Sequence, residues 1–186
     1  VIAIGATNWR DLPIPGRHLK GVEYAMDFLT DQNRKLSGLI DQVSISAENK
    51  HIIVIGSGDT GADCVGTANR QGALSVTQLA YRDQPPTERS TENPWPEWPM
   101  VLQTSSSHDE GCDRQWGILT KAFLGDSTGH LRALKTVEVR WETGHLGKRG
   151  KMEEIAGTEK ETPCKLALLA VGFLHTEHAG PISQSE

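Results

Sequence analysis

A short apolar run, His51–Ile55 (HIIVI), leads without a break into Gly56-Ser57-Gly58-Asp59-Thr60-Gly61, and this junction limits the fold more than any other stretch of the chain. A continuous β-branched run is the pattern of a strand buried on both faces. Asp59–Gln71 reads as a helix ended by Gly72, and Leu74–Leu79 as the next strand. Strand, helix and strand within about 30 residues form a βαβ unit, whose two strands must run parallel. In that context each glycine of a G-x-G-x-x-G sequence has its own role. Gly56 permits the tight turn, Gly58 lets a pyrophosphate approach the backbone, and Gly61 lets the helix pack closely on the strand. Unpaired N–H groups and the helix dipole then favour phosphate at the helix start. Asp59 or Thr60 is expected to cap that helix. A glycine-rich turn without a ligand is the plainer alternative, and the strand before and helix after weigh against it.

The end of the second strand bears on which dinucleotide binds. An Asp or Glu about 20 residues past the glycines takes the ribose 2′-OH in NAD-preferring folds. Here the segment reads Gln78-Leu79-Ala80-Tyr81-Arg82, followed by Asp83. Arg82 stands where a 2′-phosphate needs a cation, Tyr81 is placed to pack on adenine, and Arg89 is a second cation nearby. NADP(H) is therefore favoured over NAD(H), with Asp83 keeping NAD open. The candidate cofactor-binding residues are Gly56, Ser57, Gly58, Asp59, Thr60, Gly61, Tyr81, Arg82 and Arg89, with Gly172 at the end of the last apolar strand.

The rest of the chain divides around this unit. Val1–Ala6 and Leu166–Val171 are apolar strands that each run into or end at a glycine, Gly5 and Gly172, and they echo one another. They are expected to be crossovers to a neighbouring domain, giving residues 1–7 as a crossover strand, 8–165 as the nucleotide domain and 166–186 as a return crossover strand and tail. Pro13 and Pro15 stiffen a connector. Val22, Ala25, Met26 and Leu29 recur at helical spacing, predicting an amphipathic helix over Gly21–Thr30 and a polar loop or frayed helix over Asp31–Lys50. Gln84–Met100, rich in proline and tryptophan, reads as a stiff irregular loop. Gly117–Leu124, Leu131–Trp141 and Lys151–Ala156 read as antiparallel strands separated by turns at Gly125–Gly129 and Thr143–Gly150. The fold class expected is α/β, a Rossmann-like βαβ domain with an antiparallel β-meander.

Charge and cysteine usage exclude other classes. With 19 Lys+Arg against 24 Asp+Glu the net charge is −5, a poor match for nucleic acid or an anionic membrane surface. The three cysteines, Cys64, Cys112 and Cys164, are scattered without a C-x-x-C pair, which points to free thiols in a reducing, cytoplasmic compartment. No apolar run approaches the roughly 18 residues of a membrane span. His108-Asp109-Glu110-Gly111-Cys112 gathers metal-type side chains, but no second pair of ligands matches, so a polar loop and no metal site are expected. Ser105–Asp109 uses a hydrolase alphabet without a G-x-S-x-G elbow. No histidine stands in a context that marks it as an acid or base, so no catalytic residue is assigned.

Beyond these readings, Gly56–Thr67 (GSGDTGADCVGT) closely resembles the second nucleotide-binding motif of the glutamate synthase small (beta) subunit family. Pro85-Pro86, Asn93–Pro99 (NPWPEWP), Ser105–Gly111, Thr120–Phe123, Gly157–Glu159 and Leu168–Leu174 carry the likeness along nearly the whole chain. The resemblance implies a nicotinamide domain inserted in an FAD domain. NADPH would give hydride to FAD, and electrons would pass through iron–sulfur clusters to a large subunit that makes glutamate from 2-oxoglutarate and glutamine. It implies as partners an FAD domain of the same polypeptide and that large subunit. The family's iron–sulfur cysteines and its first, FAD-binding glycine fingerprint have no counterpart in these 186 residues. The chain alone is thus expected to bind nucleotide, retain no flavin and show no activity. A module that senses NADP(H) without electron transfer is the competing class, since doubly wound sheets host both.

Overall fold

In a computed structural model of the chain, which describes residues 5–142 and 150–179, the strand–glycine–helix unit forms as the sequence expects. Strand β1 (Asn8–Trp9), β2 (Val22–Tyr24), helix α1 (Ala25–Leu36), β3 (His51–Ile55), α2 (Asp59–Arg70) and β4 (Ser75–Leu79) come first. A short helix α3 (Ser106–Asp109), β5 (Asp113–Gln115), β6 (Ile118–Gly125) and β7 (Leu131–Trp141) follow. The remainder is β8 (Met152–Glu154), β9 (Lys160–Pro163), β10 (Leu166–Leu169) and β11 (Phe173–His175). Five strands make one sheet in the order β2-β10-β3-β4-β5, and every neighbouring pair in it is parallel. β7 pairs antiparallel with β6 along one edge, and with β8 and β9 along its other partners. β1 and β11 form a separate antiparallel ribbon.

The period-2 alternation of the strands sorts the core into two halves. Ile52, Val54, Leu166, Leu168 and Val76 point to one face and pack with Ala25 and Phe28 of α1 and Cys64, Val65 and Ala68 of α2. Ile53, Ile55, Ala167, Leu169 and Leu79 point to the other, against Phe123, Leu131 and Leu134 of the meander. Helices, parallel sheet and antiparallel sheet therefore form three layers, and the β3 and β10 strands, buried on both faces, read as unbroken apolar runs for that reason. Among the described residues no helix is long and apolar enough to cross a membrane.

Several expectations need correction. The helix over Gly21–Thr30 begins later: Val22–Tyr24 is a strand, because its backbone pairs with Ala167–Leu169 of β10 at the sheet edge. Sheet pairing outweighs the helical spacing of Val22 with Ala25. The helix then continues to Leu36 through a stretch whose polarity suggests a loop, and those polar side chains form its solvated face. Asp31 on that helix accepts hydrogen bonds from the Ser44 and Ile45 N–H groups and so ties down the following loop. The polar loop around His108 contains α3, and β5, β9 and β11 have no counterpart among the expected elements. The strand over Leu166–Val171 stops at Leu169 and runs between β2 and β3, so the segment expected as a return crossover also supplies a central strand. The strand over Val1–Ala6 lies largely outside the described residues, and Gly5 and Ala6 are not in a strand. The turn over Thr143–Gly150 lies outside them as well, apart from Gly150.

Phe28 is fully buried beneath the sheet, so Phe28→Ala should lower stability by about 3–5 kcal/mol in urea unfolding. A loss under about 1 kcal/mol would contradict the packing of α1 on this face.

Candidate functional site

The three motif glycines differ in what the fold asks of them. Gly56 has φ +124°, and a Cβ on it would lie 2.1 Å from the Ala170 carbonyl oxygen, so no side chain fits this turn. Its N–H donates to the Leu79 carbonyl at 2.9 Å, fixing the turn to the end of β4. A Cβ on Gly61 would lie 2.4 Å from the Gly56 oxygen and 2.8 Å from Gln78 Nε2. Gly58 is another matter. Its backbone is extended (φ −84°, ψ −174°), a conformation open to any residue, and a Cβ there would meet nothing within 4 Å. Packing and backbone geometry thus require glycine at 56 and 61 and leave position 58 free.

Gly58, not Asp59 or Thr60, is the N-cap of α2, and no side chain caps the helix. The expected side-chain cap fails because both residues already lie inside the first turn. The first helical bond runs from the Ala62 N–H to the Gly58 carbonyl. Helix geometry leaves the N–H groups of Asp59, Thr60 and Gly61 without an intrahelical acceptor. They gather at the C-terminal edge of the parallel sheet, where the helix dipole favours negative charge.

Beneath the turn runs a polar chain that the sequence did not disclose. Gln78, 2% exposed, donates from Nε2 to the Gly56 carbonyl at 2.9 Å. Its Oε1 lies 3.0 Å from His108 Nε2, and His108 Nδ1 accepts from the Ser105 N–H at 3.1 Å. A backbone N–H can only donate, so the network assigns the proton to Nε2 of a neutral ring. Burial, reinforced by Arg114, holds the His108 imidazole below the usual histidine range against the opposing effect of Asp109. The absence of a Cβ at Gly61 is what lets the Gln78 amide reach Gly56.

The cations expected at the site are placed differently. The Arg82 guanidinium lies 5.3 Å from the ring centroids of both Tyr81 and Trp141, at the C-terminal end of β4. Trp141, the last residue of β7, donates from Nε1 to the Tyr81 carbonyl at 2.8 Å and so holds that segment from the meander side. Arg89 instead donates to the carbonyls of Asn93 and Glu97, ordering the proline–tryptophan loop. Gly172, with φ +91°, lies just beyond β10, and its carbonyl accepts from the Arg10 N–H at 2.8 Å. A groove of about 190 Å³ opens beside the glycine turn between Ser57, Pro85, Trp98, Met100, Arg114 and Trp116. A larger cavity of about 350 Å³, lined in part by Lys20, Lys50 and Lys165, lies at the opposite, N-terminal edge of the sheet, away from the glycines.

The thiols belong to the packing. Cys64 sits in the helix-side core and Cys164 in the meander-side core, where burial pushes the Cys164 thiol up to about 12 and raises Cys64 further. All three cysteines are free.

The pyridine nucleotide-disulphide oxidoreductase family matches residues 1–178. The glutamate synthase [NADPH] small chain of Mycobacterium tuberculosis strain H37Rv is 43% identical over 185 residues, covering 97% of this chain and 36% of the relative. Glutamate synthase [NADH] of Schizosaccharomyces pombe is 44% identical, covering 95% of this chain and 9% of the relative. The chain thus spans about a third or less of these relatives. Among solved structures, Mycobacterium tuberculosis FprA in complex with NADPH superposes with a TM-score of 0.64 at 15% identity, over 96% of this chain and 50% of that one. That likeness extends to the fold.

Gly61→Ala should cost about 1–3 kcal/mol in stability, since its Cβ meets backbone. Gly58→Ala should change stability by no more than about 1 kcal/mol, the poorer preference of alanine for the N-cap position being offset by a stiffer unfolded chain. Urea unfolding of both variants reads the difference, and equal losses would contradict the division of roles.

Proposed function

The chain belongs to the pyridine nucleotide-disulphide oxidoreductase family, and on that footing we propose that it is the NADPH-binding part of a glutamate synthase small chain. In this reading NADPH held at Gly56–Gly61 passes hydride to FAD carried by a segment of the same polypeptide beyond these residues. The observation that carries it is Gly58. Neither packing nor backbone strain requires a glycine there, so its lack of a side chain serves a group that approaches the backbone from outside.

The residues present fit a dinucleotide. The N–H groups of Asp59, Thr60 and Gly61 take the pyrophosphate, with Ser57 at the mouth of the adjoining groove. Arg82, braced by Tyr81 and Trp141, takes the 2′-phosphate, and Gln78 with His108 keeps the glycine turn in its binding shape. When bound, the nucleotide supplies the hydride. Transfer needs donor and acceptor atoms roughly 3–3.5 Å apart, a geometry that the flavin-bearing segment has to complete. The β1–β11 ribbon supports this arrangement, because it brings the two connections of the nucleotide domain side by side. The likeness to glutamate synthase small chains supports a large-subunit partner. In this reading that partner makes glutamate from 2-oxoglutarate and glutamine, and iron–sulfur clusters carry electrons to it from FAD. Relatives named for NADPH and for NADH are about equally similar to this chain, so the preference for NADPH rests on Arg82.

Calorimetric titration of the wild-type chain should give tighter binding of NADPH than of NADH. Arg82→Ala should weaken NADPH by roughly 10- to 100-fold, the worth of a hydrogen bond to a charged group, and change NADH by less than about twofold. Equal losses for the two nucleotides would overturn the 2′-phosphate role, and no binding of either would overturn the reading.

A further inference from the structure

We propose that Arg114, on strand β5, is a phosphate-binding residue of the dinucleotide site. The inference rests on the nucleotide reading above but concerns a side chain that the motif does not contain. β5 is parallel to β4 and places Arg114 in register with Gln78, the residue that holds the Gly56 carbonyl. Arg114 accordingly lies two strands over from β3, whose C-terminal end forms the glycine turn, with β4 between them. It shares with Ser57 the walls of the groove beside the start of α2.

Its surroundings leave the charge uncommitted. Among the described residues Arg114 forms no ion pair. The neighbouring Asp113 carboxylate accepts instead from Gln115 Nε2. Of the five N–H donors of a guanidinium, one makes a hydrogen bond among the described residues, at 3.3 Å from Nη1 to Thr104 Oγ1. The Nε atom is buried without an acceptor among the described residues. A buried donor left unpaired is costly and calls for an explanation beyond packing. The guanidinium also lies 5.0 Å from the Trp116 ring centroid, a stacking that orients the plane without neutralising it. Oriented and without a carboxylate partner, this planar fork matches the oxygens of a phosphate group.

Two phosphates of the dinucleotide share this chemistry: the pyrophosphate at the helix start, and the 2′-phosphate that Arg82 is proposed to hold. Titration of the wild-type chain and of the Arg114→Met and Arg114→Lys variants with NADPH and NADH separates them. Arg114→Met should weaken NADPH by roughly 10- to 100-fold. An equal loss for NADH assigns Arg114 to the pyrophosphate. An unchanged NADH affinity assigns it to the 2′-phosphate beside Arg82. Arg114→Lys, which keeps the charge and loses the fork, should recover part of the loss. Affinities within twofold of wild type in Arg114→Met would overturn the proposal. So would equal losses in both variants accompanied by equal drops in thermal midpoint, which mark a structural role. If the wild-type chain binds neither nucleotide, the function proposed above fails first, and this inference with it.

Discussion

The candidate site depends on how closely the start of α2 lies against the end of β3. At Gly61 the helix comes so near the Gly56 carbonyl that a single Cβ would sit 2.4 Å from its oxygen. The Gln78 amide uses the same space to hold that carbonyl. A methyl group at position 61 would push the helix out and cut the Gln78 bond at once. Because the amides of the first turn are fixed to the helix, their distance from the sheet edge follows from this contact. The glycine at 56 closes the turn against Ala170, just past β10, and Leu79 of β4, so three adjacent strands define where the helix begins.

The three layers each contribute to the edge where these elements meet. The helix layer brings the N–H groups of α2, and through α3 it brings His108, whose neutral ring continues the polar chain under the turn. The parallel sheet brings Gln78 and Arg114 on its helix-facing side. The meander brings Trp141, which anchors the Tyr81 carbonyl and lies beside Arg82. It is joined to the same segment by backbone bonds from the Gly117 N–H to the Arg82 carbonyl and from the Ile118 N–H to the Ala80 carbonyl. The antiparallel sheet thus covers the core and also holds the stretch after β4 in place.

How much of this is readable in the sequence varies with the range of the interaction concerned. His51–Ile55, Asp59–Arg70 and the parallel β4 are local patterns, and they form as expected. The meander strands β6, β7 and β8 also appear, since their alternation and the turn at Gly125–Gly129 are local. Val22–Tyr24 misleads because its pairing partner, Ala167–Leu169, lies far along the chain and its own spacing imitates a helix. At the site, the glycines and Arg82 stand in a known motif context. Gln78, His108, Arg114 and Trp141 do not: each meets at least one group from far along the chain, Gln78 the Gly56 carbonyl, His108 the Gln78 amide, Arg114 the groove it shares with Ser57 and Trp141 the Tyr81 carbonyl, and no local pattern marks those meetings. Arg89 is near Arg82 in sequence, but the loop takes its guanidinium for its own carbonyls.

Nucleotide binding at this sheet edge is tested most directly by titrating the isotope-labelled chain with NADPH and following the backbone amide resonances residue by residue. Saturable shifts are expected that are largest at Ser57–Gly61 and extend to Arg82 and Arg114, with the amides around Lys20, Lys50 and Lys165 at the opposite sheet edge unmoved. Shifts centred on those lysines, or no saturable change at the glycine turn, would contradict the placement of the site.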